Sequence, residues 1–303
     1  EQGGEIVGGE GGEGHRVEPD RVGIGADGTV TTRPPKRPIT LRHLLTHTSG
    51  MGYDTWDGDI FRYVQVKGPL RPATMEILST PLIFDPGEKW TYSIAIDWAG
   101  LMVEAASGMK LDRYMREHIF EPLGMIDTGF KITPAMRPRK VAVYVRKDGG
   151  FAATDHELDQ NPEVFQGGGA LYSTVGDYLK FTRALLTGGA PILRSDIVQT
   201  MFRNSMKEGV LCRPLKSYIP ARSTDMNFVD GMKWGLSFMI NPEPFPGRRA
   251  ANSLTWGGLA NSYFWIDPAR KVTGVWATQL LPFYDPRAIE AYEDFERGVY
   301  ASI

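Results

Sequence analysis

The chain has 303 residues, of which 42% are hydrophobic and 23% charged, and its formal net charge at pH 7 is −2. This composition is typical of a soluble globular protein with one large domain or two closely packed lobes. The small net charge and the scattered Lys and Arg residues argue against a nucleic-acid partner. Cys212 is the only cysteine, which excludes an internal disulfide and a cysteine metal centre. No apolar run reaches the roughly 20 residues of a transmembrane helix, and a cytoplasmic location is slightly favoured.

The opening segment, residues 1–38, is rich in Gly, Glu and Pro. Because it shows little apolar periodicity before Val22 and Ile24, we predict a weakly ordered lead-in over this range. The first residue is not Met, and no basic-then-apolar leader is present. We therefore expect that the chain was processed or that it is a piece of something longer.

Helical signals dominate residues 39–229, which we predict to form a mainly helical lobe. Thr40 stands where an N-cap is expected, ahead of a short helix with Leu41, Leu44 and Leu45 that ends before Gly50. Three further helices are predicted: from about Ile96 to Gly108, from Leu111 to Phe120, and from Asp177 to Leu186, the last capped by Ser173 or Thr174 and ended by Gly188 and Gly189.

Residues 230–303 differ in character and are predicted to hold antiparallel strands and a closing helix. Short apolar runs rich in aromatic and β-branched residues cover residues 233–240, 262–266 and 271–279. Asp285 and Pro286 open the helix. Its buried face is predicted to carry Ile289, Tyr292, Phe295 and Val299.

Several landmarks recur in one order along the chain: RPITLRHLLTHTSG at residues 37–50, DPGEKWTYS at 85–93, IFEPLGM at 119–125, GGGALYST at 167–174 and WGGL at 256–259. Together they resemble the serine β-lactamase-like family, which spans class C β-lactamases, DD-peptidases and esterases. The resemblance implies an α/β (α+β) fold of the β-lactamase/transpeptidase type, with an antiparallel sheet flanked by helices and a mainly helical lobe. In that family a Ser-x-x-Lys helix precedes the first landmark, so we expect the N-terminal part of the sheet domain to be missing here.

The resemblance also implies roles for particular residues. Tyr92 would share the work of general base with the Lys of Ser-x-x-Lys, because a phenol with an ordinary pKa of about 10 needs a nearby cation to act near neutral pH. Trp256, Gly257 and Gly258 would form the substrate-binding strand, and the Leu259 amide would be one of two oxyanion donors. The alternative for Tyr92 is a packed aromatic beside Trp90, and the alternative for the Trp-Gly-Gly segment is a bulge in an edge strand. No cofactor and no metal is implied.

A nucleophile is harder to find. The only Ser-x-x-Lys is Ser107 to Lys110, and Gly108 breaks the helix between them, so we predict a helix terminus there. Ser49 and Ser173 are predicted to serve as a turn residue and an N-cap. His43 and His47 have the spacing of a zinc pair, but no third ligand is recognisable, and a role for His47 in satisfying local backbone groups is favoured. Asp57 and Asp59 either border the substrate entrance or belong to a solvated loop.

Two readings remain open. In the first, the protein is a carboxylesterase that acts through an acyl-enzyme on a small-molecule ester or amide, or an acyltransferase, and the chain as given is inactive because it lacks the nucleophile. Ile94 stands where the family often has Asn, which favours esters over β-lactams or peptides. In the second reading the chain is a pseudoenzyme or binding protein on the same fold. We expect an unpaired strand edge and poor stability, and the oligomeric state stays open.

Overall fold

A computed structural model describes residues 21–25, 29–147 and 149–303. Within the predicted lead-in, strands β1 (Arg21–Ile24) and β2 (Val30–Arg33) pair antiparallel. This hairpin was not predicted from the sequence. Residues 1–20, most of the lead-in, lie outside the described residues, as do residues 26–28.

The predicted helices form where their caps indicate. They are α1 (Leu41–Leu45), α4 (Ala95–Ser107), α5 (Leu111–Met115), which continues through a π-helical turn (Arg116–Phe120) into α6 (Glu121–Leu123), and α7 (Val175–Leu186). Thr174, and not Ser173, caps α7, and Gly108 ends α4 in the left-handed conformation. Unpredicted helices are α2 (Gly58–Lys67), α3 (Met75–Leu78) and α8 (Ser195–Met201).

An antiparallel sheet of five strands carries the C-terminal part in the order β5-β6-β7-β8-β9. Its strands are β5 (Lys233–Trp234), β6 (Met239–Ile240), β7 (Leu254–Gly258), β8 (Ser262–Asp267) and β9 (Val272–Trp276). The continuous strand predicted over residues 233–240 is therefore wrong. Gly235 donates a backbone hydrogen bond to Phe238 and Ser237 adopts a φ of 71°, so the chain turns back on itself and forms a hairpin there.

A smaller sheet joins the two predicted parts of the chain. Strands β3 (Val143–Lys147) and β4 (Gly150–Thr154) pair antiparallel, and β10 (Leu280–Leu281) adds to β3 in parallel. The helical part thus contributes two strands to a sheet that the C-terminal part completes. The division at residue 229 stays a prediction.

The five-stranded sheet is covered on both faces. One face packs Ile240, Leu254 and Phe264 in a cluster with residues of α7, and the other packs Met239, Tyr263 and Trp265 with Tyr292 of α9 (Pro286–Ala301). Within the described residues β9 is an outer strand, with β8 as its only partner.

The buried face of α9 differs in part from the prediction. Tyr292 is buried as expected, but Phe295 is 37% exposed and the neighbouring Glu296 is fully buried. Arg249 accounts for the burial of Glu296 in place of Phe295. Its backbone N–H donates to Glu296 Oε1 at 3.1 Å, and its guanidinium lies 3.2 Å from Oε2. A buried carboxylate needs such partners, and sequence periodicity gives no sign of them.

Candidate active site

The first landmark folds as a capped helix followed by a tight turn. Thr40 Oγ1 accepts the His43 N–H at 3.3 Å, and the Thr40 N–H donates to His43 Nδ1 at 3.2 Å, so the two residues form a reciprocal capping box. After α1, His47 adopts a φ of 52° and Gly50 a φ of 93°. The capping box engages Nδ1 of His43 in a local backbone bond.

This turn holds the second landmark in place through its backbone. The Ile83 N–H donates to the Gly50 carbonyl at 2.8 Å, Gly87 to Thr48 at 2.7 Å, and Thr91 to His47 at 3.1 Å. These three bonds hold residues 83–91, which include the DPG segment, against the turn. Tyr92 is the next residue in the chain.

Tyr92 lies in an aromatic cluster. Its ring centroid is 4.7 Å from that of Trp256, 4.8 Å from His47, 5.3 Å from Tyr53 and 5.5 Å from Trp56. Burial raises the pKa of the Tyr92 phenol to about 12; the Trp256 side chain acts in the opposite direction, and Asp97 adds to the rise. Among the described residues no Lys or Arg contributes to lowering this pKa. The cation that a tyrosine base requires is thus not supplied by this part of the chain.

The WGGL landmark begins in strand β7 of the five-stranded sheet. Trp256, Gly257 and Gly258 pair one to one with Phe264, Tyr263 and Ser262 of β8, whereas β6 pairs on the other side only with Leu254 and Thr255. The one-to-one register shows that this segment contains no bulge. Leu259 follows the last paired residue and is 49% exposed, so its backbone lies at the accessible end of the strand.

Gly257 has a steric reason to be glycine. A Cβ at this position would come within 2.7 Å of the buried Tyr263 ring, whereas a Cβ at Gly258 would meet nothing closer than 3.8 Å. A cavity of about 170 Å³ adjoins the same strand and is lined by Trp256 and Gly257 together with apolar residues such as Met226, Met232 and Phe283. The structure therefore brings Tyr92 against Trp256 and places a cavity beside the predicted substrate strand.

The other candidates have structural roles. Ser107 Oγ donates to the Val103 carbonyl at 2.7 Å and Lys110 Nζ binds Glu104, so the two ends of this Ser-x-x-Lys face different partners. Ser49 is fully buried and accepts the Met51 N–H, while Ser173 exchanges a hydrogen bond with Thr128. Asp57 is the N-cap of α2, and Asp59 in the first turn of this helix pairs with Arg62.

Ile94 does not face a substrate. It is 1% exposed and packs with Leu44, Leu78 and Trp98 in the core between α1, α3 and α4. The preference for esters therefore finds no support in this side chain, because its place in the core contributes neither an amide nor a wall to the site.

The fold brings His47, Asp97 and Tyr53 to the surroundings of Tyr92, which the sequence did not predict. His47 Nδ1 shares a hydrogen bond of 3.2 Å with Ser93 Oγ, and burial lowers the pKa of its imidazole to about 3, so the ring is neutral. Asp97 is fully buried, accepts the Gly168 N–H at 2.7 Å, and has its pKa raised to about 6 by burial. An acidic residue in the first turn of the predicted helix is visible in the sequence as Asp97, but its burial and the proximity of Tyr53 are not.

Comparison with known proteins agrees with this architecture. The family model for Beta-lactamase matches residues 26–298. Monacolin J acid methylbutanoyltransferase of Aspergillus terreus is 32% identical over 292 residues, which cover 90% of this chain and 70% of that protein. Lovastatin esterase of Penicillium rubens is 30% identical over 297 residues, with 92% and 74% covered. Among solved structures, a mutant of simvastatin synthase (LovD) from Aspergillus terreus superposes with a TM-score of 0.80 at 29% identity, covering 94% of this chain and 73% of that one.

The fold and the ordered landmarks define a protein with the serine β-lactamase architecture, in which an antiparallel sheet meets a helical lobe. The chain belongs to the beta-lactamase family. Its relatives there include acyltransferases and an esterase. Within the described ranges, no helix has the length and apolarity needed to cross a bilayer, and no three His, Cys, Asp or Glu side chains are grouped as metal ligands.

Proposed function

We propose that this protein is a serine acyl-hydrolase that works through an acyl-enzyme on a small-molecule carboxylic ester. Tyr92 is its general base, and the Leu259 N–H is one of its two oxyanion donors. Trp256, Gly257 and Gly258 form the strand along which the substrate lies. The esterase assignment draws on the family and on a relative named for ester hydrolysis, lovastatin esterase.

The observation that carries the proposal is the contact between Tyr92 and Trp256, whose ring centroids lie 4.7 Å apart. These residues are 164 positions apart in sequence, so only the fold brings them together. A base must lie within reach of the acyl group that the oxyanion donors hold. The contact supports this arrangement, because Trp256 belongs to the strand that ends at Gly258, one residue before Leu259.

The remaining part of the proposal concerns the nucleophile. The 303 residues contain no Ser-x-x-Lys on a continuous helix, and Tyr92 has a pKa of about 12 with no cation of the described residues acting on it. A Lys of such a motif would supply the missing charge and lower the pKa of the phenol. We therefore expect the chain as given not to form an acyl-enzyme, and we assign the nucleophile to sequence outside these residues.

The test uses a form of the protein with an in-frame Ser-x-x-Lys helix ahead of Glu1 and short-chain p-nitrophenyl esters as substrates. We expect a burst of p-nitrophenol equal to the enzyme concentration, followed by slower turnover. Tyr92→Phe should lower kcat by about a hundredfold or more, since it removes the proton acceptor and keeps the ring.

Tyr178→Phe is the matched control. Burial also raises the pKa of Tyr178 to about 12, but this residue packs on Phe181 and Phe264 and not in the aromatic cluster around Tyr92. Its turnover should match that of the unmodified protein. Full turnover in Tyr92→Phe would refute the base role. A start codon near Glu1, with no in-frame Ser-x-x-Lys upstream of it, would instead favour a binding protein on the same fold.

Acyl transfer to an alcohol is the second candidate function, because relatives at 28–32% identity are named as acyltransferases. The acyl-enzyme is common to both reactions, and they differ in whether water or an alcohol accepts the acyl group. Adding an alcohol acceptor and separating acid from new ester by chromatography distinguishes them. A larger yield of ester than of acid assigns the protein as an acyltransferase.

A further inference from the structure

We propose that His47, together with Ser93, is a positioning residue that fixes the direction of the Tyr92 side chain toward Trp256. The inference concerns a residue of the first landmark that takes no part in the chemistry described above. Its catalytic consequence rests on the proposed function, but the geometric statement does not.

The backbone of His47 binds the residue that precedes Tyr92. Its carbonyl accepts the Thr91 N–H at 3.1 Å, one residue before Tyr92. His47 itself adopts a φ of 52°, a conformation that few residues other than glycine take up, and it is 2% exposed. A buried residue in this conformation is held there by its surroundings. The turn thus presents its carbonyl to the segment that leads into Tyr92.

The imidazole of His47 binds the residue that follows Tyr92. Nδ1 shares a 3.2 Å hydrogen bond with Ser93 Oγ, one residue after Tyr92, and Ser93 Oγ also accepts the Ala95 N–H at the start of α4. One residue therefore binds both neighbours of Tyr92, with its carbonyl on one side and its ring on the other. This arrangement restricts the backbone of Tyr92 at two points.

The imidazole ring also contacts both Tyr92 and a residue of the sheet. Its centroid lies 4.8 Å from that of Tyr92 and 5.0 Å from that of Trp234. Trp234 donates its indole N–H to the Leu45 carbonyl at 3.1 Å and packs edge-on against Trp256 with centroids 4.8 Å apart. His47 thus contacts both the tyrosine and the tryptophan that packs on the predicted substrate strand, so a change in its position would alter the approach of the phenol.

The test follows Tyr92 directly, in the 303-residue chain, with ¹³Cζ-labelled tyrosine and NMR. Tyr92→Phe assigns the resonance. The test variants are His47→Phe, which keeps a ring and loses Nδ1, and Ser93→Ala, which loses Oγ and leaves the imidazole in place. His43→Phe is the matched control, because it removes a histidine of the same landmark whose side chain bonds only Thr40 among the described residues.

We expect the Tyr92 resonance to move in both test variants and to stay in place in His43→Phe, even though the control loses its capping box. A loss of stability alone would affect all three variants. Ser93→Ala decides the matter if His47→Phe does not fold. An unmoved Tyr92 resonance in folded Ser93→Ala would overturn the proposal.

A kinetic arm separates this inference from the proposed function. In the form that carries Ser-x-x-Lys, Ser93→Ala should lower kcat about tenfold with KM unchanged, since a misdirected base weakens the transition state and not substrate binding. An unchanged kcat would overturn the catalytic consequence. If Tyr92→Phe kept full turnover while the Tyr92 resonance moved in Ser93→Ala, the base role would fall and the positioning role would stand.

Discussion

The adjacent glycines of the WGGL strand provide a direct test of the packing around the candidate site. A Cβ at Gly257 would lie 2.7 Å from two atoms of the Tyr263 ring, some tenths of an ångström inside ordinary van der Waals contact. Tyr263 cannot move away easily, because its hydroxyl donates to Asn261 at 2.8 Å and its ring stacks on Tyr292 with centroids 4.9 Å apart. Overpacking of a buried site of this kind costs about 1–3 kcal/mol.

Gly258→Ala is the matched control for Gly257→Ala. Both variants gain about 0.4–1 kcal/mol because alanine restricts the unfolded chain more than glycine does. Only Gly257→Ala also meets the ring, so the two variants should differ by about 1–3 kcal/mol in the free energy of unfolding. With a urea m-value of about 3 kcal/mol/M, the unfolding midpoints should lie about 0.3–1 M apart. Equal midpoints, or a lower one for Gly258→Ala, would refute the packing around Tyr263.

Two further predictions concern the surroundings of Tyr92 and the false nucleophile motif. Burial raises the pKa of Asp97 to about 6, so its contribution to stability is complete below its unfolded pKa of about 3.9 and is lost as the pH rises through 6. Asp97→Asn should therefore gain stability relative to the unmodified chain between about pH 4 and pH 6 in urea titrations, and a pH-independent difference would contradict this environment for Asp97. Ser107→Ala, measured in the form that carries Ser-x-x-Lys, should change ester turnover by less than about twofold, because Ser107 bonds the helix backbone; loss of the burst would identify it as the nucleophile.

The sequence predicts the local features of this fold well. Thr40, Thr174 and Asp285 are N-caps, and Gly108 ends α4, because a cap bonds residues two or three positions away and leaves its pattern in the sequence. Long-range contacts explain the failures. The strand over residues 233–240 breaks where Ser237 donates its backbone N–H to Leu45, almost 200 residues earlier.

The same contrast between local patterns and long-range contacts applies to the candidate site. Tyr92 and the WGGL strand were selected by resemblance, since neither periodicity nor spacing indicates that two residues so far apart in sequence meet. Assignment by resemblance fails at Ile94. This residue stands where the family often has a substrate-binding Asn, but its side chain packs in the core. His47 was assigned to local backbone groups, and its bond to Ser93 crosses from one landmark to the other.

The proposed function assigns the base and oxyanion side of an acyl-transfer site to these 303 residues and its nucleophile to sequence outside them. Intact-mass measurement of the chain after treatment with a fluorophosphonate tests this claim, because the reagent modifies an activated serine and adds a defined mass. We predict that the folded chain remains unmodified. A stoichiometric adduct on any serine between Glu1 and Ile303 would contradict the claim and would identify the nucleophile within these residues.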